Sequence, residues 1–248
     1  MAQAVQVPVN AVSGNAQSNQ MVSMTTSSYQ VGLCDMCAGG PGVCCAGLFC
    51  HTCLNASARK AMDNSNWCFN FLCVSGPCQA RNVIREGYNI EGGCCDDILT
   101  GLFCMPCVAC QNYNEVAKRG PANKQWGANR SAAEIPWEFG LCSCCSDNAP
   151  CGHCLFGAFC PGIAAARART HFDGSSCCFQ LLCMTSCAAR SIIREGYNIE
   201  GSCCGEDILK PAFCPCLSAI QMLNEVKHRG PVTKALVAVP AQNMAGRT

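Results

Sequence analysis

The chain has 248 residues and a net charge of +1, and only 13% of its positions carry a charge, about half the ~25% usual for a soluble protein. A balance so near neutral supplies no field to attract nucleic acid, and nucleic acid is not expected as a partner. Half of the residues count as hydrophobic, but 28 of them are Cys and aromatics make up only 7%, so apolar burial is short of its largest side chains.

Residues 1–28 are polar and rich in Ser, Thr and Gln, and read as a flexible tail. They contain neither a basic n-region nor an apolar h-region, so secretion is not expected. The expected compartment is therefore one where thiols stay reduced. Under those conditions many cysteines point first to metal ligation, lipidation or redox chemistry, although an even count is also compatible with disulfides.

Residues 29–121 form one unit. Its first helical stretch runs from about Ala46 to Met62. A second begins near Ser65, which can cap the first turn, is broken by Gly76-Pro77 and ends at Gly87 in a left-handed C′ position. A third runs from Asp97 to Gly120-Pro121, with Lys118 and Arg119 suiting the negative end of the helix. Residues 122–135 read as a linker. Residues 136–231 repeat the unit, with stretches near Phe156 to His171, Ser176 to Gly196 and Asp207 to Gly230-Pro231. Residues 232–248 read as a second flexible tail. The fold class expected is mainly α: two tandem small cysteine-rich helical domains of about three helical segments each.

The duplication rests on an identical octet, Arg85 to Gly92 and Arg194 to Gly201, each followed by a vicinal pair, Cys94-Cys95 and Cys203-Cys204. Finding such a repeat fixes the domain count at two. Cys34, 37, 44, 50, 68, 73, 78, 94, 95 and 104 face Cys142, 145, 154, 160, 178, 183, 187, 203, 204 and 214. Cysteines acting only as small hydrophobes would exchange more freely with Ala, Val or Ser, so the shared positions point to a specific role. The bland account of the octet is helix punctuation.

Zinc takes four thiolate or imidazole ligands at tetrahedral corners. Cys34-x-x-Cys37 and Cys142-x-x-Cys145 can each supply two from one turn. Cys94, Cys95, Cys203 and Cys204 can add more, and Cys104 and Cys214 open a further short-spaced group in each copy. These ten are the candidate ligands of structural zinc. His51 and His153 sit beside cysteines, but neither has an equivalent in the other copy. That mismatch argues against a Cys–His nucleophile, and no P-loop, dinucleotide fingerprint, HExxH or GxSxG occurs; an enzyme is not expected.

Met36 to Ala58 and Asn148 to Ala166 are free of Asp, Glu, Lys and Arg, but Gly, Pro, His or Asn interrupt both. Neither gives the ~20 apolar residues of a clean span. Short hydrophobic segments of this kind fit interfacial seating or palmitoylation at vicinal cysteines such as Cys44-Cys45 and Cys177-Cys178. A compact core of the same segments is the alternative.

Together, Trp137-Glu138-Phe139-Gly140-Leu141-Cys142, Cys154, Phe159-Cys160-Pro161, Arg190 to Tyr197, Cys214-Pro215-Cys216 and Gln221, Glu225 and Arg229-Gly230 resemble the placenta-specific gene 8 family. In the first copy, Cys107 to Glu115 resembles the family's closing motif. The resemblance covers about residues 29–121 and 136–231. It implies cysteine-rich proteins, many of them membrane-associated, related to cornifelin and to plant cell-number regulators and cadmium-resistance proteins. The metal-resistance members carry Cys-Pro-Cys in the first hydrophobic segment, where this chain has Cys50-His51-Thr52-Cys53 and Cys160-Pro161-Gly162. The resemblance therefore favours a non-enzymatic, membrane-associated binding or regulatory protein on the cytosolic side, a plain cytoplasmic location being the alternative. Two further readings compete with it: an oligomeric divalent-metal transport or tolerance protein, with copies of this chain as its partners, and a soluble metal buffer.

Overall fold

A computed structural model describes residues 27–126, 133–143, 151–232 and 234–238, with side chains except at 123–126 and 234–238. Each expected helical stretch is present, and each is divided in two. In the first repeat the first stretch is α1 (Pro41–Phe49) and α2 (His51–Asp63), and the second is α3 (Trp67–Phe69), which runs into a π-helical turn at Asn70–Val74, and α4 (Pro77–Gly87). The third is α5 (Cys94–Phe103) and α6 (Met105–Arg119). The second repeat follows the same order: α7 (Cys151–Phe159), α8 (Pro161–Asp173), α9 (Cys177–Cys183), α10 (Ser186–Tyr197), a π-helical turn at Cys203–Ile208 with α11 (Leu209–Phe213), and α12 (Pro215–Arg229).

Proline explains most of the divisions. Pro77, Pro106, Pro161 and Pro215 each stand in the first turn of the following helix, where the missing N–H costs nothing and φ is already helical. Proline also disfavours the α region for the residue before it, and Cys160 and Cys214 directly precede one. At Cys50, Cys104, Cys160 and Cys214 the backbone leaves the helical region, for example to φ −144°, ψ 56° at Cys50. The chain turns a corner at each of these four cysteines.

Several helix ends differ from expectation. Asn66, one residue after Ser65, caps α3 by accepting from the N–H of Phe69 at 3.0 Å; Ser176 caps α9 as expected. Gly87 and Gly196 stay helical, and the left-handed residues are Asn89 and Asn198 (φ 51° and 60°). The glycines serve close packing instead: a Cβ on Gly87 would lie 2.8 Å from Met62 Sδ, and one on Gly196 would run into the Phe172 ring. Gly120 and Gly230 end α6 and α12 at positive φ, as the sequence predicts. The third stretch starts earlier than Asp97 and Asp207, because the fold uses those carboxylates inside the protein.

In each repeat the second and last helices pack as a pair, α2 on α6 and α8 on α12. Ala58, Met62, Ile84 and Val116 meet in the first core, and Ala168, Phe172, Ile193, Tyr197 and Val226 meet in the second. The segment leading into each repeat crosses its octet: Ser27 bridges Ile90, and Ile135 bridges Ile199. Ala122–Trp126, inside the segment read as a linker, pairs antiparallel with Lys234–Ala238. Gln125 is opposite Ala235, and these are equivalent positions of the two copies, so the ribbon is symmetric about that pair.

Candidate functional site

The octet and the closing motif hold one buried polar network per repeat. Asp97 accepts from Arg85 at 2.9 Å and from Asn82 at 3.1 Å, with Arg81 3.4 Å away. Asp207 accepts from Arg194 at 2.8 Å, with Arg190 3.8 Å away. Burial pushes both aspartates above the ordinary carboxylate range, and the arginines pull against it. Gln111 and Gln221 accept from Arg81 and Arg190 and donate to the carbonyls of Val31 and Phe139. Glu115 accepts from the N–H groups of Gln30 and Val31, and Glu225 from those of Glu138 and Phe139. Each arginine also stacks on an aromatic ring of the entering segment, Arg81 on Tyr29 at 4.3 Å and Arg190 on Trp137 at 4.1 Å. Such fully buried charges are tolerable only when paired and hydrogen-bonded. The motif residues Arg85, Tyr88, Glu115 and Arg119, and their counterparts, therefore act as framework, which deepens the helix-punctuation account.

The cysteines fall into three settings. Cys34 and Cys37 are exposed in the entering segment, where Cys37 hydrogen-bonds Cys44 and pushes that half-buried thiol up to about 11. Cys94 and Cys95 begin α5 and face the second repeat, Cys94 Sγ lying 3.7 Å from Ser176 Oγ. Cys104 is bonded to Cys107, and Cys50 to Cys53, as local disulfides across the corners; in that state Cys104 is not a thiolate ligand. In the second repeat Cys142 is exposed, Cys203 and Cys204 are 3.7 Å apart, and Cys214 is half-buried at its corner. Cys145 lies outside the described residues. The nine described candidate zinc ligands are thus spread along each repeat, and no group of three or more His, Cys, Asp or Glu among the described residues is placed to hold a metal ion. His153 Nδ1 donates to Asn224 Oδ1, 2.7 Å away, a packed role in one repeat only.

The surface feature shared by both repeats is apolar. Phe49, Phe103, Phe159 and Phe213, each immediately before a corner cysteine, are 87%, 86%, 82% and 79% exposed. Leu72 and Leu182, and Leu99 and Leu209, are equivalent pairs that are also exposed. Within a repeat the two corners are neighbours: a Cβ on Gly47 would lie 3.3 Å from the Pro106 carbonyl, and Cys216 Sγ lies 3.6 Å from the Ala158 carbonyl. The corner segments 47–53, 101–107, 156–163 and 211–217 contain no Asp, Glu, Lys or Arg. Exposed cysteines share helix faces with these side chains, Cys45 with Leu48 and Phe49 and Cys178 with Leu181 and Leu182, since residues three and four apart are neighbours. Of the four cysteines considered for lipidation, Cys45, Cys177 and Cys178 are exposed and Cys44 is half-buried. No helix among the described residues is long and apolar enough to cross a membrane. Hydropathy located the uncharged segments; it could not show that the breaks inside them turn phenylalanine outward.

Taken together, duplicated helical units with buried Arg–Asp frameworks and uncharged, cysteine-bearing corners define a tandem cysteine-rich helical protein. The PLAC8 family model matches residues 29–115 and 137–225, and the chain belongs to that family. It is similar to placenta-specific gene 8 protein of Mus musculus, 37% identical over 98 residues covering 39% of this chain and 80% of the relative. It is likewise similar to cornifelin homolog A of Xenopus laevis, 39% identical over 93 residues (38% and 79% of the two chains). Cell number regulator 11 of Zea mays is 30% identical over 107 residues (37% and 65%). No solved structure matches the chain.

Proposed function

We propose that this chain is a non-enzymatic binding or regulatory protein that seats on a membrane surface through the phenylalanine-tipped corners of both repeats. The observation that carries the reading is the exposure of Phe49, Phe103, Phe159 and Phe213 at equivalent corners. Soluble monomers rarely expose contiguous apolar surface beyond a few hundred Å², and removing a phenylalanine side chain from water is favourable by roughly 1.5–3 kcal/mol. Uncharged corners suit a lipid surface, because no charge has to leave water when they enter the acyl boundary. Acylation of Cys45 or Cys178 would add a chain on the same face as the exposed leucines. A single acyl chain anchors only marginally, and stable attachment needs two signals; apolar corners and an acylated thiol together provide two.

The test is flotation of the purified chain with phosphatidylcholine/phosphatidylserine vesicles, beside a variant carrying Phe49→Ser, Phe103→Ser, Phe159→Ser and Phe213→Ser. Cofloating of the native chain and its loss in the variant, with the helical circular dichroism signal kept, is the expected result. Native chain that stays with the protein fraction overturns the proposal. So does self-association that the four substitutions abolish without any lipid uptake, which would assign the corners to a second copy.

A further inference from the structure

The two repeats meet on a face lined with thiols. Cys73 lies in the first repeat's π-helical turn and Cys78 in the first turn of α4; Cys183 ends α9 and Cys187 lies in the first turn of α10. Cys73 is equivalent to Cys183, and Cys78 to Cys187. The thiols cross between repeats: Cys73 lies in the buried cluster against which Cys187 packs, and Cys78 and Cys183 are close enough to shift each other's titration. This is the self-complementary pattern of a two-fold interface, in which residue i meets j and j meets i. The backbone repeats it: Thr185 Oγ1 donates to the Cys73 carbonyl at 3.2 Å, and Gln79 Nε2 donates to the Cys183 carbonyl. Ala188 belongs to the buried cluster of the first repeat, with Met184 and Cys187 packed against it. All four sulfurs are free thiols, so packing from both sides holds each pair together without a bond.

We propose that this face is a redox staple, in which a small-molecule disulfide such as oxidised glutathione converts Cys73–Cys187 and then Cys78–Cys183 into disulfides that lock the repeats together. Nucleophilic attack needs a thiolate. The neighbouring Cys73 thiol holds Cys187 down to about 7, while Cys187 and burial push Cys73 up. Cys187 is also half-buried where Cys73 is buried, so it is the entry point. Its thiolate attacks one sulfur of the small disulfide and expels one small thiolate, leaving a mixed disulfide. Cys73 then gives up its proton and attacks the Cys187 sulfur, forming the protein disulfide and expelling the second small thiolate. Two protein thiols are oxidised, one small disulfide is reduced to two thiols, and the two protons end on them. Burial pushes both Cys78 and Cys183 up, which places that pair second.

The test uses the full chain, reduced, exposed to a graded ratio of oxidised to reduced glutathione, quenched with an alkylating reagent and mapped by non-reducing peptide mass spectrometry. The expected result is a Cys73–Cys187 cross-linked peptide within a monomer, forming at a more reducing ratio than Cys78–Cys183. In Cys187→Ser the first link vanishes and the second persists. Wild-type chain in which Cys73 and Cys187 are both alkylated at oxidising ratios, or are each linked to other partners, overturns the staple, and that readout needs no variant to fold.

Discussion

The guanidinium of Arg194 lies 2.8 Å from the carboxylate of Asp207, which is fully shielded from solvent. Arg85 and Asp97 repeat the contact at 2.9 Å in the other copy. Both pairs join the end of the octet helix to the element after it, so each ties the middle of its repeat to the segment that leads into the last helix. Breaking a buried pair by removing one partner leaves an uncompensated charge and costs about 3–5 kcal/mol. Asp207→Ala is therefore expected to unfold the second repeat at a denaturant concentration well below that of the native chain, as followed by circular dichroism. Urea midpoints that agree within error would show that the pair does not hold the fold.

The octet helix sets the second prediction. Gly196 stays helical, and a Cβ there would run into the ring of Phe172, which is itself buried. Overpacking a core costs typically 1–3 kcal/mol, whereas a glycine without packing constraints in a helix gains stability on becoming alanine. Gly196→Ala is expected to lower the thermal midpoint, and Gly196→Ala with Phe172→Leu to recover part of the loss. A raised midpoint in the single variant would return this glycine to a purely conformational role.

The sequence carried the duplication, the mainly helical class and the breaks at Gly76-Pro77, Gly120 and Gly230, because repeats, prolines and terminal glycines act locally. It misassigned Gly87 and Gly196, since a glycine needed for close approach looks the same in sequence as one needed for positive φ; the neighbouring Asn89 and Asn198 took the left-handed positions instead. Asp97 and Asp207 resembled helix-starting acids because that is where acids usually help, and only the folded chain brings Arg85 and Arg194 to them. Spacing marks two of the four corner cysteines, Cys104 and Cys214, as candidate ligands and gives no sign of the corner itself. The signal that could have marked the corners was the proline just after Cys160 and Cys214 and two residues after Cys104. The crossed thiol pairs were not legible at all, because their partners belong to different repeats and meet only when the repeats dock.

Each corner phenylalanine can be tested by itself. Phe49 and Phe213 touch little of the protein, so replacing either with serine is expected to change folding stability by less than ~0.5 kcal/mol, as for surface sites generally. Vesicle affinity is expected to fall about tenfold for each, corresponding to about 1.4 kcal/mol of lost apolar transfer. Titration by vesicle sedimentation measures this. Equal partitioning of both single variants and the native chain would remove the corners from the membrane contact.

The thiol pair also predicts a pH profile. A sulfur held down to about 7 by its neighbour reacts as thiolate over a range where an ordinary cysteine is still protonated. In the reduced chain, alkylation of Cys187 by iodoacetamide is expected to reach half its limiting rate near pH 7. Cys73→Ala removes that neighbour and is expected to move that midpoint upward. A midpoint that stays put in Cys73→Ala would show that Cys73 does not activate Cys187.

One difference between the repeats offers a built-in control. In the first, Asn55 and Asn112 are buried together; Asn112 donates to the Asn55 side chain at 3.1 Å, and Asn55 donates to the Ser75 carbonyl at 3.1 Å. The equivalent positions in the second are Ala165 and Met222, equally buried. The same helix pair is thus closed by an amide contact in one copy and an apolar contact in the other. Leaving one buried amide without its partner costs about 1–3 kcal/mol, whereas replacing both members with apolar groups of fitting shape is nearly neutral. Asn112→Met is accordingly expected to destabilise the first repeat by about that amount, because Asn55 loses its donor and faces a thioether. Asn55→Ala with Asn112→Met imports the second repeat's solution and is expected to return within ~1 kcal/mol of the native value. A double-mutant cycle on urea unfolding reads the coupling directly, and costs that simply add would show that the two asparagines are held by their surroundings and not by each other.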